Sequence, residues 1–129
     1  LNDYWVTKQQ KVRVSNLERT IIDCLKHPQY SGGLTEIAKG LWMRQHDINV
    51  ARLVEYAVNM HVGAVMRRLG FLLELYNIGT SEDLELLQEY LTETYTLLDP
   101  LLPSEGKFLS KWKLKLNISS EELLSVVRT

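Results

Sequence analysis

Lys111-Trp112-Lys113-Leu114-Lys115-Leu116 separates a mixed fold from an all-helical one. Charged and apolar residues alternate there with period two, which is the signature of a half-buried strand. Three lysines would line one face, and Trp112, Leu114 and Leu116 the other. Upstream, Tyr4–Thr7 and Val12–Val14 are short β-branched or aromatic runs around Lys8-Gln9-Gln10-Lys11, and they predict a hairpin. Strands are thus expected at both ends of the chain.

Between them the apolar residues recur at helical spacing. Ser15-Asn16-Leu17-Glu18 has capping-box spacing and predicts a helix from about Asn16 to Lys26, stopped at His27-Pro28. Leu34 to Gln45 predicts a second helix after the Ser31-Gly32-Gly33 turn. A third, capped by Asp47 or Asn49, carries Leu53, Val54, Ala57 and Val58. The fourth runs from about Val62 to Tyr76 and stops at Asn77-Ile78-Gly79. Thr80 or Ser81 caps an acidic fifth with the stripe Leu84, Leu87, Leu91 and Tyr95. Asp99 to Gly106 reads as a loop, and Glu121 to Val127 as a short last helix. The expected architecture is α+β: about six helices with a small antiparallel sheet made by strands from both chain ends.

At 129 residues, with 45% hydrophobic and 24% charged, the chain is expected to form one globular domain, 1–129. It contains one cysteine, and its apolar runs fall far short of the roughly 18 residues that span a bilayer. No leader is visible, so a reducing, cytoplasmic setting without a membrane partner is expected. The sequence begins at Leu1, as a piece of a longer protein would. A net charge of −1 conceals segregation. Residues 1–68 carry a net +4 and residues 107–129 a net +3, whereas residues 69–106 carry eight acids and no base. Such separation matters for partners.

Convergent enzyme chemistry is not visible. His27, His46 and His61 lack metal-ligand spacing, and Cys24 falls on the apolar stripe of the first helix, where an inert thiol is the expected state. No catalytic residue, metal or cofactor is predicted. Residues 34–60 have helix-turn-helix length, but the second helix offers only Arg52 and Asn59 to a groove. The basic strand is the sharper feature. If Lys11 and Arg13 share a sheet with Lys111, Lys113 and Lys115, five cations project from one face. That face would be a solvated guard against edge pairing, or a surface for phosphates or an acidic partner. In the fourth helix Gly63, Arg67, Gly70 and Glu74 share a side. Two mid-helix glycines at about 1 kcal/mol each imply close approach of another backbone. Arg67, Arg68 and Glu74 would then form an ion-pair network or, alternatively, a ligand or partner contact.

The ordered set Val14-Ser15-x-x-Glu18-Arg19-Thr20-Ile21-Ile22-Asp23, Pro28, Gly32-Gly33-Leu34, Tyr56-Ala57, Arg67 to Glu74, Leu98-Asp99-Pro100 and Trp112-x-Leu114-x-x-Asn117 resembles the C-terminal domain of AbiEi-type antitoxins. These are transcriptional regulators of bacterial abortive-infection, type IV toxin–antitoxin systems. The resemblance implies a non-enzymatic antitoxin domain that opposes a nucleotidyltransferase-like toxin, often without a stable complex. It also implies help with operator DNA binding beside an N-terminal winged helix-turn-helix, which this sequence lacks. The expected contacts are Lys11, Arg13, Lys111, Lys113 and Lys115, with Arg67 and Arg68 as further candidates. The alternative is a protein-docking domain with no nucleic-acid role.

Overall fold

The computed structural model describes residues 16–127. Over these the chain forms α1 (Asn16–Lys26), α2 (Leu34–Met43), α3 (Val50–Met60), α4 (Gly63–Leu75), α5 (Ser81–Glu89), β1 (Thr96–Leu97), β2 (Lys107–Leu109), β3 (Leu114–Leu116) and α6 (Ser120–Ser125). The class is α+β, and mainly helical. No helix among the described residues is long and apolar enough to cross a membrane.

Helix α4 is the axis of the body. Its nine residues from Val65 to Leu73 are all buried, so the helix is covered on every side. Helices α1, α3 and α5 pack around it, and α2 packs on α1. Local caps fix several helix starts. Asn49 Oδ1 accepts from Arg52 N at 3.2 Å, and Ser119 Oγ from Glu122 N at 3.1 Å. Thr80 and Asp83 form a reciprocal capping box on α5.

Two further caps come from afar. Helix α2 begins at Gly33, which has no side chain to offer, and Asp99 Oδ2 accepts from Leu34 N at 3.1 Å instead. Glu18 of α1 likewise reaches α3, its Oε2 accepting from Asn49 N at 2.9 Å. Asp99 itself is held by Asn117. The Asn117 Oδ1 accepts from Asp99 N at 3.0 Å while its Nδ2 donates to Asp99 O at 2.8 Å.

The sheet departs from expectation. Its order is β1-β3-β2, with β1 parallel to β3 and β2 antiparallel to it, so it is mixed rather than antiparallel. All three strands lie within residues 96–116. The reason is the loop after β1, which carries the chain round to β2 and lets β3 insert between the two. The expected hairpin at Tyr4–Thr7 and Val12–Val14 lies outside the described residues. Helix α5 ends at Glu89, so Tyr95 belongs to the approach to β1 and not to a helical stripe. The run Thr92, Thr94, Thr96 explains this, since β-branched residues favour extended backbone.

Tyr76 ties the end of α4 to α6, its hydroxyl donating to Leu123 O at 2.7 Å. Burial pushes this phenol up from 10.0 to about 12. The folded chain therefore keeps a proton that the unfolded chain releases near pH 10. The stability involved is fully present below that pH and is lost as the pH rises towards 12, by up to about 1.4 kcal/mol per unit. Denaturant melts of wild type and Tyr76→Phe should accordingly converge between pH 10 and 12. A stability difference that stays constant over that window would refute the assignment.

Candidate nucleic-acid interface

The stretch expected to be one long strand is a turn followed by a short strand. Residues 110–113 turn, and only Leu114–Leu116 pairs. Lys113 sits at φ 54°, in the left-handed region that side chains with a Cβ enter at a cost of about 1–2 kcal/mol. This left-handed residue breaks the alternation and parts Lys111 from Lys113 and Lys115.

Lys111 turns towards the helices and pairs with Glu74 of α4. The same carboxylate accepts from Trp112 Nε1 at 2.8 Å. Burial pushes the Glu74 carboxyl up, but the hydrogen bonds from Lys111 and Trp112 and the lysine charge outweigh it, leaving the group below its ordinary range. The Trp112 ring lies flush on Gly70, where a Cβ would fall on the indole. What approaches α4 closely is thus an indole rather than a backbone.

Lys113 and Lys115 stay on the outer face of the sheet. Phe108 of β2 lies opposite Lys115 of β3, which lies opposite Leu97 of β1. Phe108 is 67% exposed, yet it packs edge-on against Tyr95 with ring centroids 5.1 Å apart. The Lys115 ammonium stands 5.3 Å from the Phe108 centroid, and that of Lys113 stands 5.7 Å from the centroid of Tyr95. Glu93 holds Lys113 from the solvent side at 3.5 Å. Two exposed rings flanked by two ammonium groups can do two things together. The rings offer π-faces for stacking, and the cations offer charge for phosphates.

Arg67 and Arg68 are placed elsewhere. Both are only 5% exposed, so neither presents a surface contact. Arg68 donates from Nε and Nη2 to Leu97 O at 3.2 and 3.0 Å, and from Nη1 to Leu25 O at 2.9 Å. Burial pulls its pKa down while the charge of Asp99 raises it. Arg67 donates to Thr96 Oγ1 at 3.3 Å and to Thr92 Oγ1 at 2.8 Å, and burial lowers its pKa too. The expected ion-pair network with Glu74 is therefore replaced by hydrogen bonds to carbonyl and hydroxyl oxygens.

Of the seven expected contacts, the structure brings only Lys113 and Lys115 together, while Lys11 and Arg13 lie outside the described residues. Sequence reasoning missed Tyr95 and Phe108. The threonines alternating around Tyr95 were the available signal, whereas nothing local marked Phe108. Cys24 is half-buried and lines an apolar groove between α1 and α2. Among the described residues no group of three His, Cys, Asp or Glu could hold a metal ion.

The fold and this face together define a small helical α+β domain with an aromatic, basic sheet surface. No protein-family model, curated protein or solved structure matches the chain.

Proposed function

We propose that the Tyr95–Phe108 face contacts nucleic acid and that the domain is a non-enzymatic module of the antitoxin type. In the cytoplasmic setting expected from its cysteine content and apolar pattern, it would, as the AbiEi resemblance implies, assist operator binding beside a winged helix-turn-helix and oppose a nucleotidyltransferase-like toxin. The observation that carries the nucleic-acid reading is the exposed aromatic pair with an ammonium group over each ring. A base stacked on Phe108 would take the place of water on an apolar surface. Lys113 and Lys115 would exchange a weak contact with a ring for a stronger one with a phosphate.

Fluorescence anisotropy with labelled single-stranded and duplex oligonucleotides across a salt series tests this. Phe108→Ala should weaken binding by about 1–3 kcal/mol, the worth of one stacked base. Lys115→Glu should weaken it as well and flatten the salt dependence. Phe108 is largely exposed, so the effect of its truncation should not come from unfolding. Affinities unchanged in both variants would remove the face from consideration. If neither oligonucleotide binds at all, the protein-docking alternative takes its place.

A further inference from the structure

The two forms of nucleic acid, paired and unpaired, would meet the Tyr95–Phe108 face differently. Leu97, Lys115 and Phe108 stand in register across β1, β3 and β2, so an aliphatic chain, an ammonium group and a ring share one row. In a duplex each base lies between its neighbours and shows a protein only its edges in the grooves. Reading those edges takes directed donors and acceptors, which Phe108 and Leu97 lack. An unpaired base offers its π-face, and an exposed ring is what stacks on it. Phe108 fits that part. Tyr95 meets it edge-on at 81° and leaves it 67% exposed.

A second observation concerns the phosphate. The Glu93 side chain is 97% exposed, yet its Oε1 stands 3.5 Å from the Lys113 ammonium. An anion thus already rests on the lysine beside the rings. An ion pair so exposed is worth little, and a phosphate can take the place of the carboxylate at small cost.

We infer that this face takes an unpaired strand of nucleic acid rather than a duplex, with a base stacked on Phe108 and a phosphate displacing Glu93 from Lys113. The preference rests on the nucleic-acid reading of the sheet face, but not on the operator role, which concerns duplex DNA. Glu93 holds the place of the phosphate in the free domain and competes with it in the bound one. Base faces and phosphates are common to DNA and RNA, so a DNA strand is a sufficient probe.

The test compares, on the whole chain, a labelled DNA strand of about 12 nucleotides with the same strand annealed to its complement. At equal ionic strength the single strand should bind roughly tenfold tighter, and Phe108→Ala should erase that preference. Glu93→Gln should tighten the single strand and steepen its salt dependence. The slope of log K against log salt should grow by about 0.7, the value for one more phosphate contact. Glu85→Gln is the control, since it changes the net charge equally at an exposed position of α5 that pairs with neither lysine. Its slope should match that of the wild type. Both acids are on the surface, so both variants should fold. A duplex bound as tightly as its single strand would overturn the preference and leave the face a nucleic-acid surface of another kind. A Glu93→Gln slope no steeper than that of Glu85→Gln would overturn it as well. If neither form binds, the nucleic-acid reading of the face falls together with the preference.

Discussion

Trp112→Ala should destabilise the fold by about 3–5 kcal/mol in urea denaturation, the range for deleting a buried aromatic side chain. The indole is fully buried, covers Gly70 of the central helix and donates to Glu74. Its removal opens a cavity and leaves a carboxylate oxygen without that donor. The companion substitution makes the test sharper. Gly70→Ala in an ordinary helix interior would gain about 1 kcal/mol. Here the new methyl falls on the indole, and the substitution should instead cost about 1–3 kcal/mol through overpacking. In a Trp112→Ala background the sign should revert to a gain, because the obstruction is gone. A double-mutant cycle reads that reversal directly. If Gly70→Ala has the same sign in both backgrounds, the contact is not what holds the β2–β3 turn to the helix.

Arg68→Met is the second large effect, with an expected loss of about 3 kcal/mol, since each buried carbonyl stripped of its donor costs about 1–3 kcal/mol. The guanidinium joins Leu25 O in the last turn of α1 to Leu97 O in β1, so one side chain fastens the helical body to the sheet. A cation at a helix C-terminus also gains from the dipole. Arg68→Lys should rescue little. A single ammonium cannot reproduce a planar fork that reaches two carbonyls. A loss below about 1 kcal/mol for Arg68→Met, measured against global stabilities of roughly 5–15 kcal/mol, would show that water replaces the fork without penalty.

The helices were legible because their information is local. Asn49 and Thr80, each one of two expected candidates before an apolar-periodic run, cap the helix that follows, and Ser119 caps the last one. That a small sheet exists, with Leu114–Leu116 in it, was legible, but its strand order, direction and bounds were not, for equally definite reasons. Strands of two or three residues are too short to display a period. The alternation from Lys111 to Leu116 is real, but half of it belongs to a turn in which Lys113 is left-handed. Tyr95 falls four residues after Leu91 and so fits a helical stripe by spacing alone. Its neighbours Thr94 and Thr96 spoke against a helix. Arg67 and Arg68 read as surface candidates because their acceptors lie 25 to 43 residues away in the chain. The candidate site follows the same pattern. Lys113 and Lys115 are visible in the sequence, whereas the ring pair that gives them a context joins Tyr95, just before β1, to Phe108 in β2.

Several residues that carry the family resemblance prove to be internal ties. Glu18 caps α3, Gly33 makes way for Asp99, Arg68 joins helix to sheet, Asn117 grips Asp99, and Trp112 covers Gly70. Such a pattern describes how the domain is held together. It bears less directly on what the domain touches, which is why the functional proposal rests on the sheet face.

The cap on α2 also dictates an order of events. Leu34 waits for a carboxylate 65 residues downstream, and Gly70 for an indole still later in the chain. During vectorial synthesis the first four helices therefore emerge able to make the Glu18–Asn49 and Arg68–Leu25 ties, but with every tie to residues 92–117 unmade. An uncovered groove along α4 and a bare start to α2 persist until the segment around residues 99–117 has been translated. Maturation of the domain is thus gated by its C-terminal third, and a ribosome stalled before that point would hold a helical intermediate rather than a finished fold.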